Sequence, residues 1–278
     1  MRPFPLVSSL TPRRAAQLFA LSNIAFLGVD IALAHLANDF ARWAEWAPVG
    51  FSAVAAALLV PGALGSRRAL VRWLDVAVGC GAIVVGLAGM IFHLQSGFFA
   101  HRTLHDLVYA APFVAPVSYV GVGLLVLLLR SEDADGRAFG PWVLCLTLGG
   151  FLGNFFLSVL DHAQNGFFHA TEWIPVASAA FAVSFLALSL ALPRSLPLLA
   201  CAVVLALQAA TGLLGFGLHV VANLRRPAAS LLERFVFGAP AFAPLLFVDL
   251  ALLGAIGLWA SHAHVPQSAA AASHVERA

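Results

Sequence analysis

Apolar residues in this chain come in long blocks separated by short polar segments. Several blocks reach the roughly 20 residues that a helix needs to cross a bilayer. A barrel is not expected, because runs such as Val120–Leu129 do not alternate between apolar and polar residues. The pattern therefore predicts an all-α integral membrane protein with the lipid bilayer as its partner. The eight predicted spans are 15–37, 47–64, 73–95, 108–129, 142–164, 173–192, 198–222 and 238–260.

The composition agrees with a bilayer environment. Hydrophobic residues make up 61% of the chain and charged residues only 10%, with a mean hydropathy of +0.92. A soluble domain usually carries about 25% charged residues, because its surface faces water. The net charge of +2 is too small to suggest a nucleic-acid partner. Cys80, Cys145 and Cys201 lie inside apolar blocks, which indicates core packing rather than a disulfide framework.

The arginines between the blocks predict the orientation. Counted from a cytoplasmic N-terminus, the inner segments hold ten arginines and the outer loops hold five. The positive-inside rule then favours two cytoplasmic termini in a cell inner membrane, although Arg225, Arg226 and Arg234 oppose this bias.

The chain also repeats itself at a shift of 127 residues. Over the fifteen positions 35–49, seven residues are identical to those of 162–176 without a gap. The seven pairs are His35 and His162, Asn38 and Asn165, Phe40 and Phe167, Glu45 and Glu172, Trp46 and Trp173, Pro48 and Pro175, and Val49 and Val176.

Shorter matches extend this repeat to later helices. Gly86, Gly89 and His93 match Gly212, Gly215 and His219 at a shift of 126, and a proline pair recurs at a shift of 128. We therefore expect two tandem, parallel four-helix halves at 10–130 and 138–262, followed by a disordered tail at 266–278. The first span is not expected to be a cleaved signal peptide, because its repeat counterpart at 142–164 cannot be one.

Histidines and acids recur where the predicted helices reach the outer, periplasmic face. Odd-numbered helices all run outward, so their histidines lie at similar depth, and glutamates begin the returning helices. Imidazole and carboxylate are ligands of zinc, copper, iron and nickel. The sequence therefore predicts one metal site, with two asparagines as partners that orient the ligands. The predicted ligands are His35, His162, Glu45, Glu172, His93 and His219, and the asparagines are Asn38 and Asn165.

A second hypothesis concerns the glycines that precede two of these histidines. Gly86 and Gly89 clear one face of the helix below His93, as Gly212 and Gly215 do below His219. Such a clearing can admit haem b with the two histidines as axial ligands. The alternative is close helix packing through small residues, which is common in membranes.

Other interpretations remain open at this point. Histidines at helix ends and acids at helix starts are favoured by the helix dipole without any ligand. Asp30 and Asp249 lie within spans, and such acids often mark a transport path. The leading hypothesis is a redox or metal-handling protein; the alternatives are a transporter or channel for a small solute or ion, and a metal-dependent membrane enzyme.

Overall fold

The computed structural model describes residues 10–66, 68–131, 136–192 and 198–263. Within these ranges the chain forms helices and turns and no strand, which confirms the all-α architecture. The tail predicted at 266–278 lies outside the described residues.

The helices follow the apolar blocks of the sequence. Short 3-10 turns, Trp43–Glu45 and Ala170–Glu172, come directly before two of them. The α-helices are α1 Pro12–Leu36, α2 Trp46–Ala63, α3 Ala69–Gln95, α4 Phe98–His101, α5 Leu104–Tyr109, α6 Val117–Leu128, α7 Phe139–Gln164, α8 Trp173–Ala191, α9 Leu198–Arg225, α10 Leu231–Val236 and α11 Leu245–Ala263.

Among the described residues, seven helices are long and apolar enough to cross a bilayer: α1, α2, α3, α7, α8, α9 and α11. Helix α6 is apolar but has 12 residues. Its length is about 18 Å at 1.5 Å per residue, against a hydrocarbon core of about 30 Å. The structure thus supports a multi-pass membrane protein, with seven candidate spans where the sequence predicted eight.

Two helices begin later than the sequence predicted. The helix predicted at 108–129 begins at Val117, and the helix predicted at 238–260 begins at Leu245. Proline disfavours the helical conformation in the residue before it and has no N–H to donate. Each delayed start follows two prolines, which hold the segment in turns; these are Pro112, Pro116, Pro240 and Pro244.

The spans pack as two four-helix groups placed side by side. Helices α1, α2, α3 and α6 form one ring of neighbours, and α7, α8, α9 and α11 form the other. Contacts of α1 with α11 and of α6 with α7 join the two groups. Phe139 and Leu253 of the second group lie in the same buried cluster as Ile24 and Tyr119 of the first. The apolar core is therefore continuous across the junction.

Most of the apolar surface of the spans faces outward. In the most apolar window of each of the seven spans, only 17–33% of the residues are buried inside the protein. Leu70, Trp73 and Leu199 are each more than two-thirds exposed. Exposed apolar surface of this extent marks an interaction with a membrane or a partner, and the helix lengths fit the bilayer.

Candidate functional site

The connection between α1 and α2 places Glu45 beside His35. His35 lies in the last turn of α1, and Glu45 ends the 3-10 turn that leads into α2. The His35 Nδ1 atom lies 3.8 Å from Glu45 Oε2, and both side chains are more than four-fifths buried. The two groups form an ion pair only when the histidine carries a proton.

A left-handed turn builds this connection. Asp39 and Phe40 have φ values of 53° and 49°, a region that non-glycine residues seldom adopt. The turn is held because the Phe40 N–H donates to the His35 carbonyl at 3.2 Å. The Phe40 ring also stacks on Trp46 with 3.9 Å between ring centroids. These contacts bring the chain back so that Glu45 returns to the end of α1.

The connection between α7 and α8 has the same construction. His162 Nδ1 lies 3.6 Å from Glu172 Oε2, again with both side chains largely buried. Phe167 has a φ of 51°. Its N–H donates to the His162 carbonyl at 3.0 Å, and its ring stacks on Trp173 at 3.9 Å.

A further histidine of each half is oriented by a backbone carbonyl. His93 Nδ1 lies 3.0 Å from the Pro112 oxygen, and His219 Nδ1 lies 2.9 Å from the Pro240 oxygen. Because a carbonyl oxygen only accepts, Nδ1 of each ring is the donor. The Nε2 atom of each neutral ring then keeps its lone pair, which is the arrangement found in metal-ligating histidines.

These second histidines lie next to the histidine–glutamate pairs. The His93 and His35 ring centroids are 6.3 Å apart, with the ring planes at 83°. His219 lies within electrostatic range of His162. By these contacts the six predicted ligands fall into two groups, which we name the first cluster (His35, Glu45 and His93) and the second cluster (His162, Glu172 and His219).

Each cluster contains a buried carboxylate oxygen without a hydrogen-bond partner among the described residues. These atoms are Glu45 Oε2 and Glu172 Oε2, the ones that face the histidines. The Nδ1–Oε2 distances of 3.6 and 3.8 Å exceed the usual hydrogen-bond range. A buried polar atom left unpaired is costly, so each such atom calls for an explanation.

As they stand, the described residues contain no group of three or more His, Cys, Asp or Glu side chains close enough to hold a metal ion. Within each cluster one histidine–glutamate pair lies within 4 Å, and in the first cluster the His93 ring centroid lies 6.3 Å from that of His35. An ion held by all three side chains of a cluster would therefore require them to move closer together. The donor types nevertheless match those that transition metals prefer.

Asn38 and Asn165 support the turns rather than the histidine rings. Their backbone N–H groups donate to the carbonyl oxygens of His35 and His162 at 3.0 and 3.1 Å. Both side chains are exposed, and neither makes a side-chain hydrogen bond with another described residue. Their role in orienting the ligand side chains stays a prediction.

The glycines below His93 and His219 lie against neighbouring helices. A Cβ atom at Gly86 would come within 2.8 Å of the Pro116 carbonyl, and one at Gly212 within 2.7 Å of the Pro244 carbonyl. Gly89 and Gly215 meet the same two prolines. The space that the glycines clear is therefore filled by the turns that lead into α6 and α11.

Two further acids, in the connections that follow α3 and α9, cap short helices. Asp106 and Thr103 form a capping box at the start of α5, and Glu233 accepts the Ala229 N–H before α10. The Thr103 hydroxyl, donating to Asp106, lowers the pKa of that carboxyl below its usual value. His101 and His105 lie 3.6 and 3.9 Å from the Asp106 oxygens. Capping thus accounts for both acids.

The sequence analysis missed a buried ion pair at the opposite end of the first half. Asp75 of α3 is fully buried and pairs with Arg130, which follows α6. Arg130 ends an apolar block of the sequence, and Asp75 follows Arg72 by three residues at the start of α3. The sequence signal for this ion pair was an acid near one end of a span, with an arginine at the same end of a neighbouring span.

The polar interior differs between the halves. In the first half, the Tyr119 hydroxyl lies 2.6 Å from Ser52 Oγ and donates to the Pro48 carbonyl at 3.1 Å. The repeat places Phe247 and Ala179 at the positions of Tyr119 and Ser52. In the second half, Ser178 instead donates to Gln208 Oε1 at 2.9 Å and lies 3.0 Å from the Thr211 hydroxyl. The clusters are thus repeated, whereas the side chains beneath them are not.

The chain has no match among protein family models, curated proteins or solved structures. Its fold is that of a multi-pass helical membrane protein. Its function has to be argued from the side-chain chemistry of the two clusters.

Proposed function

We propose that each half of this membrane protein binds one transition-metal ion at its histidine–glutamate cluster, in a redox or metal-handling role. The observation that carries the proposal is the buried, unpartnered carboxylate oxygen beside a histidine nitrogen in both halves. A cation between the two atoms would pair with this oxygen. Helix-dipole capping alone does not require the glutamate oxygen to be buried and unpaired.

The distances within the clusters support an ion. Metal–ligand bonds of about 2.0–2.1 Å at a tetrahedral angle place two ligating atoms roughly 3.3–3.4 Å apart. The Nδ1–Oε2 distances of 3.8 and 3.6 Å are close to that value. His93 and His219 would bind through Nε2, since Nδ1 of each is committed to a carbonyl. Water would complete the coordination.

An ion is preferred over haem b at these positions. The glycine faces proposed for a porphyrin are in contact with the turns before α6 and α11. A porphyrin lying there would have to displace those turns. Haem therefore remains the alternative cofactor, distinguished by its absorption.

The repeated contacts support a tandem duplication with eight spans. Each half has the same histidine–glutamate pair, the same stacked aromatic turn and the same histidine-to-proline carbonyl bond. Helix α11 is long and apolar enough to span the bilayer, and the repeated prolines make α6 its counterpart in the first half. We assign α6 as the eighth span on this ground.

The arginine distribution supports an inner-membrane protein with both termini in the cytoplasm. In that orientation the two clusters face the periplasm. Metal ions would reach them from the periplasm without crossing the inner membrane.

A transporter is the second candidate, favoured by a polar contact at the junction of the halves. The Asn23 side chain of α1 donates to Asp249 of α11 at 2.9 Å, within the membrane-spanning segments. Acids inside spans commonly line a path for ions or protons. A transporter predicts that Asp249→Asn protein folds normally and loses transport.

The proposal is tested by elemental analysis and a visible absorption spectrum of detergent-purified protein. A transition metal that survives gel filtration, without a Soret band, supports the ion. A Soret band would show that the bound cofactor is haem and not a single metal ion. Protein free of both contradicts the proposal and leaves the transporter as the leading function.

A further inference from the structure

An open apolar groove of about 620 Å³ runs between α1 and α11, where the two halves meet. On α1 it extends from Ala15 to Ala25, and on α11 from Leu252 to Trp259. Small side chains such as Ser22 and Ala255 leave the space between the helices. The groove opens on the outer side of the helix bundle, which faces lipid in a membrane.

One end of the groove is closed. Asn23 bonds to Asp249 there, and the Phe26 and Phe242 rings meet edge to face at 5.4 Å. The two helices run antiparallel, so Ala15 and Trp259 lie together at the open end. The ten residue steps from Ala15 to Ala25 span about 15 Å of helix axis. This length equals half of a hydrocarbon core of about 30 Å, which is one leaflet.

Among the described residues, two arginines and a histidine lie at the open end of the groove. Helix α1 begins at Pro12 and carries Arg13 and Arg14 in its first turn, with no acidic residue there. Arg13 donates to the Leu129 carbonyl at 3.0 Å, which keeps it at this end of the bundle. His262 lies in the last turn of α11 at a similar level. Arginines at the membrane surface attract anionic lipid headgroups.

We propose that the groove binds an anionic phospholipid from the leaflet in which α1 begins. One acyl chain fills the space between α1 and α11 as far as Asn23, and the phosphate lies beside Arg14 and Arg13. The acyl chain contacts one helix from each half, so the lipid stabilises the junction between them. This inference is independent of the metal proposal.

The test is thermal unfolding of delipidated full-length protein in detergent with added phosphatidylglycerol or with equimolar phosphatidylcholine. A ligand that binds only the folded protein raises its unfolding temperature. We expect phosphatidylglycerol to raise the midpoint and phosphatidylcholine to raise it much less. Native mass spectrometry should find one phosphatidylglycerol retained per chain.

Two variants with matched controls locate the lipid. Ala255→Phe fills the groove from an exposed position and should abolish the response, whereas Ala206→Phe on the exposed face of α9 should retain it. Arg14→Gln should weaken phosphatidylglycerol binding about five-fold, because each basic residue near the surface contributes on the order of 1 kcal/mol. Arg225→Gln, at the other end of the bundle, should leave it unchanged. Equal responses to the two lipids, or an unaltered response in Ala255→Phe protein, would overturn the proposal.

Discussion

Glu45 and Glu172 have surroundings that a bound cation would explain. Each presents a buried oxygen to a histidine nitrogen at a distance too long for a hydrogen bond. The sequence predicted both residues because they are identical at a shift of 127. It could not predict that His93 joins His35 while His219 joins His162, because that grouping depends on which helices pack together.

Replacing Glu45 by Gln tests its role at the residue scale. The amide keeps the size of the side chain but is a poor ligand for a transition metal. We expect the metal affinity of the first cluster to fall at least about ten-fold, measured by competition with a chelator. Asp106→Asn, which changes a nearby loop carboxylate engaged in capping, is the control and should bind metal normally. Equal affinity in wild-type and Glu45→Gln protein would remove Glu45 from the ligand set.

The Asp75–Arg130 pair supplies a prediction about stability. Asp75→Asn leaves the largely buried guanidinium of Arg130 without its counter-charge. Removing one partner of a buried pair typically costs about 3–5 kcal/mol, whereas replacing both by apolar residues costs little. Thermal unfolding in detergent should therefore show a large loss for Asp75→Asn and a smaller one for Asp75→Leu combined with Arg130→Met. A double variant less stable than the single variant would contradict this account.

At the scale of helices, the apolar blocks predicted six of the eight spans to within about four residues, but not the short helices α4, α5 and α10. The predicted starts were wrong for α6 and α11, because the turns before these helices are as apolar as the helices themselves. The same turns pack closely against Gly86 and Gly212. Gly86 and Gly212 were recognised from sequence, but the identity of the group that approaches them was not, because only the packed helices place a carbonyl there.

Glycine replacements test this close packing. A methyl group at Gly86 would meet the Pro116 carbonyl and Val120 at 2.8 Å, and backbone yields little. Gly86→Ala should therefore destabilise the protein by about 1–3 kcal/mol, measured by thermal unfolding. Gly149 and Gly217 have open space at the same position, so their replacement by Ala should be neutral or stabilising by up to about 1 kcal/mol. Equal effects at the three sites would show that helix approach at Gly86 is not tight.

At the scale of the whole molecule, the arginine count predicts which side of the membrane each cluster faces. Reporter fusions after Arg137 and after the C-terminus should report a cytoplasmic location, and a fusion near Arg102 a periplasmic one. This result would place both clusters outside and make α6 a span. A periplasmic location for the fusion after Arg137 would contradict both assignments.

The most direct test of the central claim counts metal ions per chain in purified wild-type, His35→Ala, His162→Ala and doubly substituted protein. Two separate clusters predict two ions in wild-type protein, one in each single variant and none in the double variant. A single site built from all six residues would instead lose its ion in either single variant, with non-additive effects. Full metal retention in the double variant, or no metal in wild-type protein, would contradict the claim that these histidines bind a metal.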